Sequence, residues 1–213
     1  MNVGVIGSGV VGQTLAAGFL KHGHKVAIGT RDPAKLKDWA GKNPGADVKG
    51  FAETAAFGDV VVLAVGGEVA FDALGQVGAA AIDGKTVVDA CNPIGGGPPV
   101  AGVFSFFTGQ NESLLERLQQ AYPNVRFVKA FNSVGAGQMV NPDFGGVRPT
   151  MFICGNDAGA KNAVAAICDA FGWDCEDMGA VEAARAIEPL CKLWCIPGVG
   201  RGDWSAHAFK LLK

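Results

Sequence analysis

Three features of this 213-residue chain predict a doubly wound α/β fold with a mostly parallel sheet and C-terminal helices. Short β-branched runs alternate with segments of helical periodicity, the pattern of parallel strands joined by crossover helices. A glycine-rich loop sits between the first such run and the first helix. From Val181 onward helical pattern continues without a further strand.

Taken in order, Asn2 to Ile6 reads as the first strand and Val10 to His22 as the first helix. That helix carries Lys21 and His22 in its last turn and Gly23 as a left-handed cap, which makes His22 and His24 surface and capping residues. Lys25 to Gly29 follows as a strand. Asp32-Pro33 then starts a helix, with Asp as N-cap and Pro at the first helical position. Further strands are expected near Val48 and over Asp59 to Val65, Thr86 to Ala90, Val125 to Ala130, Thr150 to Cys154 and Trp173 to Met178. Helices are expected over Glu68 to Ala79, Glu112 to Ala121 and Ala158 to Phe171. The run VEAARAIEPLCKLWC reads as a helix interrupted or ended by Pro197-Gly198, and Trp204 to Leu212 as another. This divides the chain into a nucleotide-binding domain, 1–180, and a helical segment, 181–213, that completes a substrate cleft.

Composition narrows the function. The chain is 49% hydrophobic, enough for one compact core. Its net charge of −2 provides no basic field for a phosphate backbone, so nucleic acid is not an expected partner. The first residues run directly into an apolar strand without a cationic flank and cleavage site, which points to the cytoplasm. Ala90 to Asn111 is uncharged and nearly long enough to cross a bilayer, but five glycines and three prolines make it a buried or gating loop; no membrane partner is expected. The six cysteines form no CxxC pair and read as reduced thiols. Cys191 and Cys195 share a helical face, yet no neighbouring side chain completes a metal site.

Gly7, Ser8, Gly9, Val10, Val11 and Gly12 form G-x-G-x-x-G in the strand-to-helix context that the motif needs. The first glycine permits the turn, the second lets backbone approach a pyrophosphate, and the third lets the helix press on the strand. Free N–H groups and the helix dipole attract the anion. A site for NAD would end its second strand with a carboxylate on the ribose hydroxyls. This chain has Thr30 and Arg31 there, with Lys35 four residues beyond. A hydroxyl, a planar fork of donors and an ammonium match a 2′-phosphate, so NADP(H) is the expected cofactor.

Ligands of open α/β sheets bind beyond the carboxyl ends of the strands. Ala64, Val65 and Gly66 end one strand with little side-chain bulk, leaving room for the cofactor. Asn92-Pro93 and Ala130 to Asn132 end two others and are expected at the nicotinamide end, with Asn132 the candidate for orienting an acceptor. Lys129 reads as an edge or rim charge. Phe104, Phe106 and Phe107 lie in the uncharged loop, either as core anchors or as a wall over a planar acceptor. No Ser-His-Asp set is visible. Hydride transfer needs mainly two rings held at near-attack distance, which suits a chain this poor in acid/base groups.

The segments VGVIGSGVVGQTLAAGFLKHGHKVAIGTRDPAK, DVVVLAV, VKAFNSV, MFICGNDAGAK and DMGAVEAARAIEPL resemble the NADP oxidoreductase family that acts with coenzyme F420, nearly end to end. The resemblance implies a Rossmann domain, a cleft in which deazaflavin stacks on nicotinamide, and a homodimer. It assigns Thr30, Arg31 and Lys35 to the 2′-phosphate and Gly7 to Gly12 to the pyrophosphate. Asn132 stands where the deazaflavin enzymes carry a histidine. Phe131-Asn132 and AARAIEPLCKLW are more similar to the cytosolic reductase domains of six-transmembrane metalloreductases, which pass hydride to flavin. Arg185 and Glu188 match a recurrent pair in the family, and their spacing is also that of an ordinary surface ion pair. The expected function is hydride transfer between NADP(H) and a deazaflavin or flavin. An NADP(H)-binding redox sensor without turnover and a reductase of a small metabolite are the alternatives.

Overall fold

The computed structural model describes Met1–Lys213, and six parallel strands form its centre. They are β1 (Asn2–Ile6), β2 (Lys25–Gly29), β3 (Ala46–Lys49), β4 (Val60–Leu63), β5 (Thr86–Asp89) and β6 (Arg126–Lys129), in the spatial order β3-β2-β1-β4-β5-β6. That is the doubly wound order, with its switch point between β1 and β4. The register aligns Val5 with Ile28 on one side and with Val62 on the other. Strand β4, Val-Val-Val-Leu, is buried along its whole length, because helices cover both faces of a parallel sheet.

The helices are α1 (Val10–Lys21), α2 (Lys37–Lys42), α3 (Phe51–Phe57), α4 (Ala70–Val77), α5 (Leu114–Ala121), α6 (Ala158–Ala170), α7 (Ala184–Ile187) and α8 (Pro189–Arg201). One apolar cluster joins Leu15 and Phe19 of α1 to Val164 and Ile167 of α6 across one face of the sheet. A second joins Leu74 of α4, Leu115 and Leu118 of α5 and Ile187 of α7 on the other. Gly23 ends the first helical segment with φ of 79°, the left-handed conformation that glycine adopts without steric cost.

Four expectations need correction. Strands β7 (Thr150–Ile153) and β8 (Asp174–Asp177) form a separate two-stranded parallel sheet, linked to β6 by a single antiparallel bridge between Lys129 and Cys154. Helix α3 was not foreseen: FAETAAF is only seven residues, and its start is marked only by Gly50, whose N–H donates to Glu53 Oε2 at 3.3 Å. Pro197 does not end the last helix but lies inside α8, which runs on to Gly202 in the left-handed conformation. The carbonyl deprived of its partner belongs to Leu193, an exposed residue that water can serve.

Trp204 to Leu212 forms no helix. Its backbone is used elsewhere: Phe209 O accepts the Thr150 N–H at 2.8 Å, and the Leu211 N–H donates to Thr150 Oγ1 at 3.0 Å. His207 stacks on Trp194 with 4.6 Å between ring centroids, and its carbonyl accepts the Trp194 indole N–H. The uncharged stretch from Ala90 is a folded loop in which Ile94 bridges Phe106 and Val100 bridges Val103. No helix is long and apolar enough to cross a membrane. All six cysteines are free thiols.

Candidate nucleotide-binding cleft

The glycines of the first loop have three separate geometric roles. A Cβ on Gly7, whose φ is 128°, would lie 2.2 Å from the Ala64 carbonyl oxygen, and one on Gly12 would lie 2.0 Å from that of Gly7. Backbone packs directly on backbone at both positions. Gly9 faces open space instead, so its missing side chain leaves room for a ligand against the main chain. The N–H groups of Val10, Val11 and Gly12 at the start of α1 have no acceptor within the protein. Gln13 fixes the loop by donating from Nε2 to the Ser8 carbonyl at 2.8 Å.

The end of β2 completes a cavity of about 220 Å³ that Gly7, Ser8, Gly9, Thr30, Arg31 and Lys35 all line. Thr30 is buried, with Oγ1 3.1 Å from Ser8 Oγ while accepting the Asp32 N–H at 3.1 Å. It therefore ties the second strand end to the glycine loop. The Asp32 carboxylate accepts the Ala34 N–H at 3.1 Å and caps the turn Pro33–Leu36, as the Asp-Pro signal predicts. Arg31 and Lys35 are exposed and make no ion pair with the protein. Two unpaired cations beside unpaired N–H groups fit the phosphates of NADP(H).

Next to this cavity a larger one, about 490 Å³, opens over the strand ends. It is lined by Val10, Val11, Ala64, Val65, Gly66 and Asn92 among others, and Glu68 is its one ionisable side chain. Asn92 is held by a reciprocal pair: its Nδ2 donates to the Asn132 carbonyl at 2.7 Å, and Asn132 Nδ2 donates to Asn92 Oδ1 at 3.1 Å. Asn132 also donates to the Ile187 carbonyl at 3.1 Å, which ties β6 to α7.

Asn132 is only 4% exposed and lines neither cavity. Asn132, the candidate for orienting an acceptor, stands behind Asn92 and supports it. Pro93 and Ala130 are likewise buried outside the two linings, whereas Gly7 to Gly12 (with Gly12 beneath the loop), Thr30, Arg31, Lys35, Ala64, Val65, Gly66 and Asn92 gather around the cleft. The bend into Asn132 comes from Phe131, a buried residue with φ of 62° whose N–H points to Met151 Sδ at 3.1 Å. None of the loop phenylalanines lines the 490 Å³ cavity. The Lys192 ammonium lies 4.0 Å from the Phe106 ring centre, and the Arg117 guanidinium 5.7 Å from that of Phe107.

Lys129 is not a rim charge. Its side chain is fully buried, with Nζ 2.6 Å from Asp89, 2.9 Å from Glu188 and 2.9 Å from the Cys91 carbonyl. Burial alone would lower the lysine pKa, but the two carboxylates outweigh it and hold the ammonium above the ordinary lysine range. Nearby, burial pushes the Cys154 thiol up to about 12, so this cysteine is inert as a nucleophile. Glu188 also accepts the N–H groups of Leu114 and Leu115 at 3.0 Å each, capping α5. It does not pair with Arg185, which reaches Glu116 instead at 2.5 Å. Sequence reasoning missed this cluster, although one signal was present: Asp89 and Lys129 are direct register partners on adjacent strands.

A 3-2-1-4-5-6 sheet whose switch point carries a glycine loop and two open cations defines a dinucleotide-binding Rossmann protein. Residues 2–93 match the model of the family described as NADP oxidoreductase, coenzyme F420-dependent. A crystal structure from Arthrobacter sp. FB24, assigned as an F420-dependent NADP-reductase, is 33% identical, covers 100% of both chains and superposes with a TM-score of 0.92. The chain belongs to this family of NADP-dependent oxidoreductases. It is also 30% identical to the rat metalloreductase STEAP3 over 199 residues, which is 92% of this chain but 38% of that protein's length. An imine reductase variant from Myxococcus stipitatus in complex with NAD+ shares the fold, with a TM-score of 0.65, 17% identity, and coverage of 91% of this chain and 60% of its own.

Proposed function

We propose that this protein transfers hydride between NADP(H) and a planar deazaflavin or flavin ring, chiefly by positioning. The observation that carries the proposal is the continuity of the two cavities. Gly9, Ala64, Val65, Gly66 and Val69 line both, so one trough runs from the cations at the end of β2 to the apolar space over β4 and β5. Bound NADPH would supply the hydride at the apolar end. The protein's part is to hold the 2′-phosphate with Arg31 and Lys35, and the pyrophosphate with the N–H groups at the start of α1. Asn92 sets the orientation at the apolar end, with Asn132 as its positioning residue. Val10, Val11 and Val65 exclude water from the neighbouring space. The helical portion, 181–213, contributes Pro189 and Lys192 to a further cavity of about 250 Å³ that Phe106 and Thr108 also line.

The test is oxidation of NADPH and of NADH, followed by absorbance, with a panel of deazaflavins and flavins. At least one planar acceptor is expected to turn over, with NADPH preferred. Loss of one charge-assisted phosphate contact is worth about 1.5–3 kcal/mol, so Arg31→Ala should raise the KM for NADPH by roughly ten- to a hundredfold and leave that for NADH unchanged. An equal loss for both cofactors would refute the clamp. Tight NADPH binding without turnover of any acceptor would refute the hydride-transfer reading and favour a sensor.

A further inference from the structure

A slot of about 40 Å³ opens beside the clamp, lined by Arg31, Phe51, Val65, Val69, Asp72, Ala73 and Gln76. It shares Arg31, Phe51, Val65 and Val69 with the 220 Å³ cavity, so the two are continuous. In an adenosine 2′-phosphate the base is attached at C1′, the carbon next to the one bearing the phosphate. A phosphate held by Arg31 therefore leaves the base beside that same arginine, where the Phe51 ring, the valines and a guanidinium plane offer surfaces for stacking.

Asp72 and Gln76 are four residues apart on α4, one turn above each other. The helix turns Ala70, Ala73, Leu74 and Val77 into the core, and Asp72 and Gln76 remain exposed. Neither makes a hydrogen bond or ion pair within the protein, so one acceptor-only group and one donor-acceptor group face the slot unused.

We propose that Asp72 and Gln76 read the edge of the purine, so that the protein selects adenine over a 6-oxopurine. This rests on the NADP(H) reading above. The adenine edge presents an amino donor at N6 beside a ring-nitrogen acceptor. A carboxylate accepts from the amino group, and the glutamine amide donates to the ring nitrogen. In hypoxanthine the 6-position carries an oxygen, and its lone pairs would meet the Asp72 carboxylate with no proton between them. Gln76 can rotate its amide to suit either base, so Asp72 is the discriminating side chain.

The experiment is fluorescence titration with NADPH and with its reduced hypoxanthine analogue, the nicotinamide being the reporter in both. A directed base contact discriminates by about 1.4 kcal/mol, so the unmodified protein should bind the adenine form about tenfold more tightly. Asp72→Asn, whose amide can donate to O6, should bring the two affinities to within about twofold of one another. Gln76→Ala should weaken both ligands by a similar factor and preserve the ratio. Arg31→Ala should weaken both ligands and preserve it. Equal affinity of the unmodified protein for the two bases, with NADPH still preferred over NADH, would overturn this inference and leave the cofactor reading standing. So would an unchanged ratio in Asp72→Asn. Absence of NADPH binding would sink both.

Discussion

At the end of β2, Arg31 and Lys35 stand in solvent without partners; at the end of β6, Lys129 is enclosed and grips two carboxylates. The same kind of charge has been put to opposite uses. A cation left unpaired on the surface costs little and remains available to a ligand. A buried cation is tolerable only when the protein itself answers it, and then nothing remains to offer a substrate. Here one ammonium meets two carboxylates, and the surplus negative charge on Glu188 faces the positive end of α5 through the N–H groups of Leu114 and Leu115. A single cluster thus joins β5, β6, α5 and the junction between α7 and α8.

The contrast predicts that the two ends respond to different measurements. Lys129→Met strands two buried carboxylates and should cost about 3–5 kcal/mol in urea denaturation; a loss under about 1 kcal/mol would mean that the cluster does not join the layers. Arg31→Ala should change stability by no more than about 0.5 kcal/mol while weakening NADPH by the tenfold or more given above. If it unfolded the protein instead, the two ends would not differ in kind. Asn132→Ala should cost about 1 kcal/mol of stability, because Asn92 and the Ile187 carbonyl lose a partner. In a double-mutant cycle with Asn92→Ala its effect on turnover should be strongly non-additive, since Asn132 acts through Asn92. Additive effects would give Asn132 an independent role.

The smallest effect concerns the surface pair Arg185–Glu116. The hydrogen bond from Arg185 lowers the Glu116 pKa. Its stabilising contribution is present above the ordinary glutamate value and is lost as pH falls through the lowered folded value. Arg185→Ala should therefore lower stability only slightly at pH 7 and converge with the unmodified protein in acid. The Lys129 pKa is raised, so the opposite sign applies. Its contribution is complete at neutral pH and below, and is lost only as pH climbs beyond the ordinary lysine value and through the folded one. In Lys129→Met the stranded carboxylates of Asp89 and Glu188 are relieved by protonation, so the penalty should be largest near neutral pH and shrink in acid; a penalty independent of pH would contradict the cluster.

The sheet was legible because β-branched runs carry their own address. All eight expected strands form, with edges moved by a residue or two, as with Asp59 to Val65 shortening to Val60–Leu63. The Asp32-Pro33 start was legible too, since capping is a local interaction. What escaped depends on distant partners. Lys129 looks like any strand-end charge until Glu188, far along the chain, folds back to meet it. Arg185 and Glu188 have the spacing of a helical ion pair, yet each finds a better partner on α5 or β6. The strand end that carries Asn132 was legible, but its place behind Asn92 was not, because the left-handed bend at Phe131 leaves no mark in the sequence. The segment from Trp204 has helical periodicity, which tertiary contacts with Trp194 and Thr150 override.

Those contacts matter beyond the tail. The N–H at the start of β7 is taken by Phe209, while Lys210 and Lys213 clip the passing chain to Asp174 and Glu176 on β8. A short strand pair of this kind offers a ready template for recruiting a foreign strand, the first step towards aggregation. With its own last residues laid over it, that invitation is withdrawn, and the molecule guards a weak seam with material that needs no fold of its own.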